Sequence, residues 1–355
     1  MHIPENYLSP ATCAVMTAAM VPVWARAVKN VKAELPKEKI SMIGVGAAFS
    51  FVGMMFNVPM PGGTTGHAVG GTLLAALLGP DAACIAVSMA LLLQALIFGD
   101  GGILAFGANA FNMAFAMPYI GYGIYRLLLK LFKVDIKDRS GSDKKIISAG
   151  VGSYIGINAA AFLAAVEFGI QPYFFKDAVG KPMYCPYGLN ISIPSMMIGH
   201  LTVFGLAEII FTVAILAYVL KTSPDLVHGA ATVETEKRVN KKGKFTSYLP
   251  LLLAVLIAFV PLGLLAEGTA WGEWGSDEIA EVVSDGEALG FVPQGMESGF
   301  SLEALIPDYA IEGVPDIIAY IASAVIGVAV LIIIFRLISS LSDKNRIHNV
   351  ERSNS

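Results

Sequence analysis

The chain has 355 residues, of which 55% are hydrophobic and only 15% charged, with 36 glycines and a formal net charge of −4. That balance excludes a soluble α/β or all-β fold, because apolar runs this long leave no polar face, and it places the chain among polytopic helical membrane proteins with no nucleic-acid partner. Three cysteines, Cys13, Cys84 and Cys185, are far apart in sequence and form no C-x-x-C pair, so neither a disulfide framework nor a metal finger is expected.

The chain opens MHIPENYLSP, without the positive start, short apolar run and small-residue cleavage site of a secretory signal. His2 is too bulky for routine removal of the initiator methionine, so the expected mature terminus is the free amine of Met1. Apolar runs then follow at about 8–25, 40–56, 68–80, 82–98, 103–128, 146–168, 192–220, 248–266 and 317–337. Most approach the ~20 residues needed to cross the hydrocarbon, which predicts an all-α bundle with a seven-helix core and two C-terminal transmembrane helices. The third run is short, and is expected to be either a tilted helix or a partial one entered from a loop.

Lys and Arg set the expected orientation. All but two of the 24, Lys176 and Lys181, fall in segments 26–39, 126–145, 221–247 and the C-terminal tail. These lie on alternate sides of a nine-helix count and are therefore cytoplasmic. The N-terminus, the Gly-rich loop 57–67, the loops 99–102 and 169–191, and the stretch 267–316 face outwards, so Met1 and His2 are expected to meet incoming solute. Residues 1–225 form the core, 226–247 has a linker's composition, and 248–355 is a two-helix appendage. The appendage's outer stretch, 267–316, holds twelve acids and no Lys or Arg. It would concentrate cations near the outer surface, although a solvated loop obeying the charge rule has the same composition.

The terminus carries distinctive chemistry. A free amine, the next amide nitrogen and that residue's imidazole Nδ1 can close a five-membered and a six-membered chelate ring around one ion. The result is a planar tridentate donor with a fourth place vacant, which suits Ni(II) and Cu(II). For His2 alone, an accidental second-position histidine is an equal alternative. The stretch NVPMPGGTTGHAVGG, residues 57–71, adds a tight loop with Pro59, Pro61, Gly62, Gly63 and Gly66, and sets His67 at the start of the third helix. A helix N-terminus disfavours imidazolium and so favours the neutral, metal-binding ring. With His2 on the same face, a ligand role for His67 outweighs that of a hydrogen-bonded helix end. Gln94, Asn109, Asn112 and His200 belong to the same layer. They are candidates for orienting the imidazoles, or for ordinary interhelical hydrogen bonds. Glu208 lies deeper, with no assigned role.

Four stretches, MHIPENYLSP, PGGTTGHAVGGTLLAALLGP, FGDGGILAFGANAFNMAF and GHLTVFGLAEIIFT, together resemble the substrate-binding S component of energy-coupling-factor transporters for nickel and cobalt, the CbiM/NikM family. The resemblance spans roughly residues 1–225. It implies that Ni(II) or Co(II) is held by the Met1 amine, the His2 amide and imidazole, and the His67 imidazole. It also implies a separate transmembrane coupling (T) subunit and two cytoplasmic ATPase subunits, in a multi-pass plasma-membrane assembly surrounded by lipid. The appendage resembles, by topology, the accessory NikN/CbiN-like subunit of these systems, here fused. No G-x-x-x-x-G-K-[ST] occurs, so the chain is not expected to be an ATPase or any other enzyme, and energy would come from partners. The small pair Ala14 and Ala18 on the first helix would let a partner helix approach, or serve internal packing equally well. An intramembrane metalloprotease would need a motif such as H-E-x-x-H, which is absent. A carrier or channel working without ATPases would be expected to have an acidic pathway or inverted repeats, whereas Glu167 and Glu208 are the carboxylates well inside the core spans.

Overall fold

The computed structural model describes residues 1–34, 37–60, 64–137, 141–230, 250–266, 269–284 and 287–353. Pro61, Gly62 and Gly63, Arg139, most of the basic linker (231–249), Glu267 and Asp285 lie outside the described residues. Among the described residues, nine helices of eight residues or more follow the nine apolar runs. They are α1 (Pro10–Glu34), α2 (Lys37–Met54), α3 (Gly71–Leu78), α4 (Pro80–Phe98), α5 (106–131), α6 (Ser142–Phe174), α7 (Leu189–Thr222), α8 (Pro250–Leu265) and α9 (Asp316–Ser353).

Five of these, α1, α4, α6, α7 and the first 25 residues of α9, are long and apolar enough to cross a membrane, while the apolar parts of α2 and α8 are shorter. The third run is the partial helix of the two alternatives. At eight residues and about 1.5 Å each, α3 covers roughly 12 Å. Seven of its residues are buried, so it stands inside the bundle instead of facing lipid. A short β-hairpin, β1 (Val58–Met60) and β2 (Thr64–Gly66), leads into it, with Val58 opposite Gly66 and Met60 opposite Thr64.

Three of the long helices contain a π-helical turn: Gln94–Phe98 ends α4, Ala110–Ala116 interrupts α5, and His200–Phe204 interrupts α7. A π-turn widens the local ring and re-aims the following side chains, and such turns gather at functional sites. Gln94, Asn112 and His200 all sit on them. Asn109 and Asn112 straddle the switch from α to π geometry, and they find different partners although the sequence spacing puts them on one face.

The bundle closes through small residues. A Cβ on Gly156 would stand 2.7 Å from the Met117 carbonyl oxygen, so the α5–α6 contact needs glycine there. The appendage packs directly on the core, with α9 lying along α2 and the Tyr320 hydroxyl donating to the Met55 carbonyl at 2.8 Å. The segment between α8 and α9 is folded down over the N-terminal residues. Tyr7 donates to the Trp274 carbonyl (2.8 Å), Asn6 to that of Phe300 (2.7 Å), and the Trp271 amide to the Thr64 hydroxyl (2.9 Å). Phe98 stacks on Tyr309 with ring centroids 4.6 Å apart. The N-terminus is therefore covered, contrary to the expectation that Met1 and His2 meet solute: Met1 is 4% exposed and His2 2%. Composition could not reveal this, because the covering layer comes from residues more than 260 positions away.

Candidate metal centre

The N-terminal segment is threaded between three core elements, each of which ties it by its backbone. Asn109 grips Ile3 twice, its Oδ1 accepting from the Ile3 amide (2.8 Å) and its Nδ2 donating to the Ile3 carbonyl (3.0 Å). The Gly102 amide donates to the same carbonyl at 2.9 Å. A Cβ at Gly102 would lie 2.7 Å from the Glu5 amide nitrogen, so only glycine permits this approach. Glu5 in turn accepts from the amides of Ile103 (2.7 Å) and Leu104 (3.3 Å). Burial pushes the Glu5 carboxyl above its ordinary pKa, although these two amides pull the other way. Gln171 fixes the far end by accepting from the Ser9 amide at 3.0 Å.

This places His2 against His67. His2 Nδ1 and His67 Nε2 are 3.3 Å apart and the rings lie 4.9 Å apart between centroids. His67 Nδ1 faces the Ala68 carbonyl at 3.3 Å; as a carbonyl only accepts, Nδ1 carries the proton and Nε2 presents a bare lone pair to His2. Burial, then the neighbouring His2 and the terminal amine, hold the His67 pKa well below its ordinary value, so the ring is neutral. Two nitrogen ligands at right angles about 2.0 Å from one ion stand about 2.9 Å apart, close to the spacing found here. No group of three His, Cys, Asp or Glu side chains among the described residues converges as a metal site. The terminal amine, near enough to lower the His67 pKa, is a further nitrogen beside this pair.

Two carboxylates meet these nitrogens. Asp100 Oδ1 is 3.0 Å from His2 Nδ1, and Glu273 Oε1 is 3.0 Å from the Met1 amine. Burial opposes the charge on Asp100, but His2 and the hydrogen bonds it receives outweigh this and hold its pKa below the usual carboxylate range. Its other oxygen, Oδ2, accepts from Gln94 Nε2 (2.9 Å) and the Tyr309 hydroxyl (2.6 Å).

The residues proposed to orient the imidazoles therefore divide. Gln94 acts one step removed, through Asp100. Asn109 holds the backbone of Ile3, next to His2. Asn112 bonds Glu167 at 2.8 Å and not an imidazole. His200 donates from Nδ1 to the Met196 carbonyl at 2.8 Å, leaving a buried Nε2 with no partner among the described residues, and contacts neither imidazole by a hydrogen bond. Glu208, without a role in the sequence, bonds the amides of Val69 (2.8 Å) and Gly70 (3.1 Å), two and three residues beyond His67. Sequence reasoning missed Glu5, Asp100, Glu273 and Tyr309. Asp100 had one legible signal, an acid between glycines in FGDGG at the outer end of α4; Glu273 and Tyr309 had none beyond belonging to an acidic segment.

The fold and this site define a multi-helix membrane protein in which two buried imidazoles and a buried terminal amine lie beneath a covering segment from the C-terminal part of the chain. The chain belongs to the family described as the cobalt uptake substrate-specific transmembrane region, which it matches over residues 2–226. Residues 246–344 match the PDGLE domain. A relative from Lactiplantibacillus plantarum, named probable fused nickel transport protein LarMN, is 45% identical over 98% of this chain and 100% of its own length. Another, the fused nickel transport protein NikMN of Rhodobacter capsulatus, is 43% identical over 94% of this chain and 95% of its own. A solved structure of a truncated transition metal transporter is 55% identical with a TM-score of 0.57, covering 62% of this chain and 99% of that one.

Proposed function

We propose that the chain is the substrate-binding membrane component of an ATP-driven energy-coupling-factor importer for Ni(II) or Co(II). The Met1 amine, the His2 amide and Nδ1, and His67 Nε2 hold the ion. The observation that carries this reading is the meeting of His2 Nδ1 and His67 Nε2 at 3.3 Å, beside a buried terminal amine. The relatives' names, which specify nickel for two fused proteins, support the metal class. Planar four-nitrogen coordination favours Ni(II) over Co(II). Binding displaces protons from the amine, the amide and Nδ1, and a neutral His67 adds no proton to that cost.

In this reading residues 1–225 capture the metal, 226–247 link, and 248–355 form a fused accessory unit that acts on the capture site. The protein lies in the plasma membrane with its N-terminus outside and its C-terminus in the cytoplasm, as the distribution of Lys and Arg supports. A transmembrane coupling subunit and two ATPase subunits supply the energy, since the chain has no P-loop of its own. Two measurements test this. The purified protein should hold one ion with the spectrum of a yellow, diamagnetic Ni(II) centre, which a paramagnetic Co(II) centre would not give. Vesicles carrying this chain alone should not accumulate metal, whereas addition of the coupling and ATPase subunits should start uptake. Accumulation by the chain alone would make it an independent carrier.

A further inference from the structure

Beyond the nitrogen ligands, and resting on the reading of them given above, the pocket has a second layer made of oxygen. The side chains of Asp100 and Glu273 are 23% and 24% exposed, whereas those of Met1 and His2, which they contact, are 1% and 2% exposed. An ion arriving from outside therefore reaches carboxylate before nitrogen. Each carboxylate already stands 3.0 Å from one nitrogen donor. That is about the separation of two ligands sharing one ion at roughly 2.0–2.2 Å, so the ion can exchange oxygen for nitrogen without a large side-chain movement.

Asp100 is set up for this task. Gln94 and Tyr309 both bond its Oδ2, which leaves Oδ1 as the oxygen turned to His2. The two carboxylates come from different parts of the chain, Asp100 from the loop after α4 and Glu273 from the appendage's outer segment, and the hydroxyl that fixes Asp100 belongs to the appendage as well. Side chains of the two parts thus each hold one of the nitrogens of two successive residues, Asp100 at His2 Nδ1 and Glu273 at the Met1 amine.

We propose that Asp100 and Glu273 form an oxygen-donor entry site that takes a partly hydrated divalent transition-metal ion and passes it to the Met1 and His2 nitrogens, with Tyr309 as a positioning residue for Asp100. A group that binds the ion only in transit lowers the barrier in both directions. It therefore speeds capture and release together while leaving the final complex unchanged. A true ligand of the final complex, or a residue that merely holds the fold, changes the equilibrium instead.

The test uses the full-length apo-protein in detergent, mixed rapidly with Ni²⁺ alone and, separately, with Co²⁺ alone. Association is followed by absorbance, and release by competition with a chelator. In D100N and in E273Q the association and release rates should both fall, by about tenfold, because the oxygen that carries the ion between solvent and nitrogen is lost and the barrier rises equally in both directions. The dissociation constant should move by less than about threefold, and the final spectrum should stay that of the unaltered protein. Y309F, which keeps every charge, should give the same pattern at smaller amplitude. Unchanged rates in E273Q and Y309F would overturn the proposal, as would a dissociation constant weakened about tenfold through faster release. Thermal unfolding is measured for each variant, and if D100N does not fold, E273Q and Y309F decide the matter. The underlying site is tested apart: protein acetylated at Met1 that still binds Ni²⁺ with the same spectrum would refute the nitrogen site, whereas acetylation-sensitive binding with unaltered rates in the variants would refute only the entry site.

Discussion

Glu208 offers the sharpest test of how the loop that carries His67 is built. It is fully buried on α7, and its Oε2 accepts from two backbone amides, Val69 and Gly70, at the entrance to α3. Those amides lie ahead of the first turn of α3, Gly70 being its N-cap and Val69 the residue before it, and a carboxylate there also favours the helix dipole. Glu208→Ala removes the acceptor and leaves two buried N–H groups unpaired. At about 1–3 kcal/mol for each, the loss of stability should be about 2–6 kcal/mol. Glu208→Gln keeps one carbonyl oxygen in place and should cost about 1 kcal/mol, the scale of one ordinary hydrogen bond. Because His67 lies two residues before Val69, the loosened loop should also weaken Ni²⁺ binding in the alanine variant by about tenfold, as for other losses of a supporting residue. Thermal unfolding in detergent and calorimetric Ni²⁺ titration measure the two effects. An alanine variant with unaltered melting temperature and affinity would refute the argument. A glutamine variant as damaged as the alanine would show that charge, and not an acceptor for the two amides, is what the site requires.

Other outcomes follow from the same geometry. Acetylation of Met1 should abolish high-affinity Ni²⁺ binding while leaving the helical signal intact, checked by titration and circular dichroism; unchanged affinity would remove the amine from the ligand set. His67→Ala should lose binding outright, whereas His200→Ala, whose ring is bonded to the Met196 carbonyl and to neither imidazole, should lose at most about 10–100-fold, as titrations of the two would show. Removal of residues 248–355 takes away Glu273 and Tyr309 together, so uptake in vesicles with the coupling and ATPase partners should fall at every salt concentration. An electrostatic attraction alone would lose its effect as the Debye length contracts to about 8 Å near physiological salt. Full uptake by the truncated core would make the appendage dispensable.

The all-helical membrane class and the nine helical runs are legible in the sequence, because burying a backbone in lipid forces helix, and helix there demands long apolar stretches. His2 and His67 could be picked out as well, since a second-position histidine and a Gly-rich loop are local features with their own chemistry. What surrounds them was not legible. The pairing of Asn109 with Ile3, of Glu208 with the Val69 and Gly70 amides, and of Asn112 with Glu167 joins residues 55 to 139 positions apart. No local periodicity encodes such distances, and the π-turns that re-aim Gln94, Asn112 and His200 leave no spacing signature. The clearest case is the N-terminus itself. Local chemistry gives Met1 and His2 the donors for a chelate, but only tertiary packing places them under a lid from the far end of the chain, with Glu273 on the amine and Tyr309 behind Asp100. Hydrophobic runs fix which segments enter the membrane, whereas the contacts between polar groups in the connecting loops depend on how those segments are brought together.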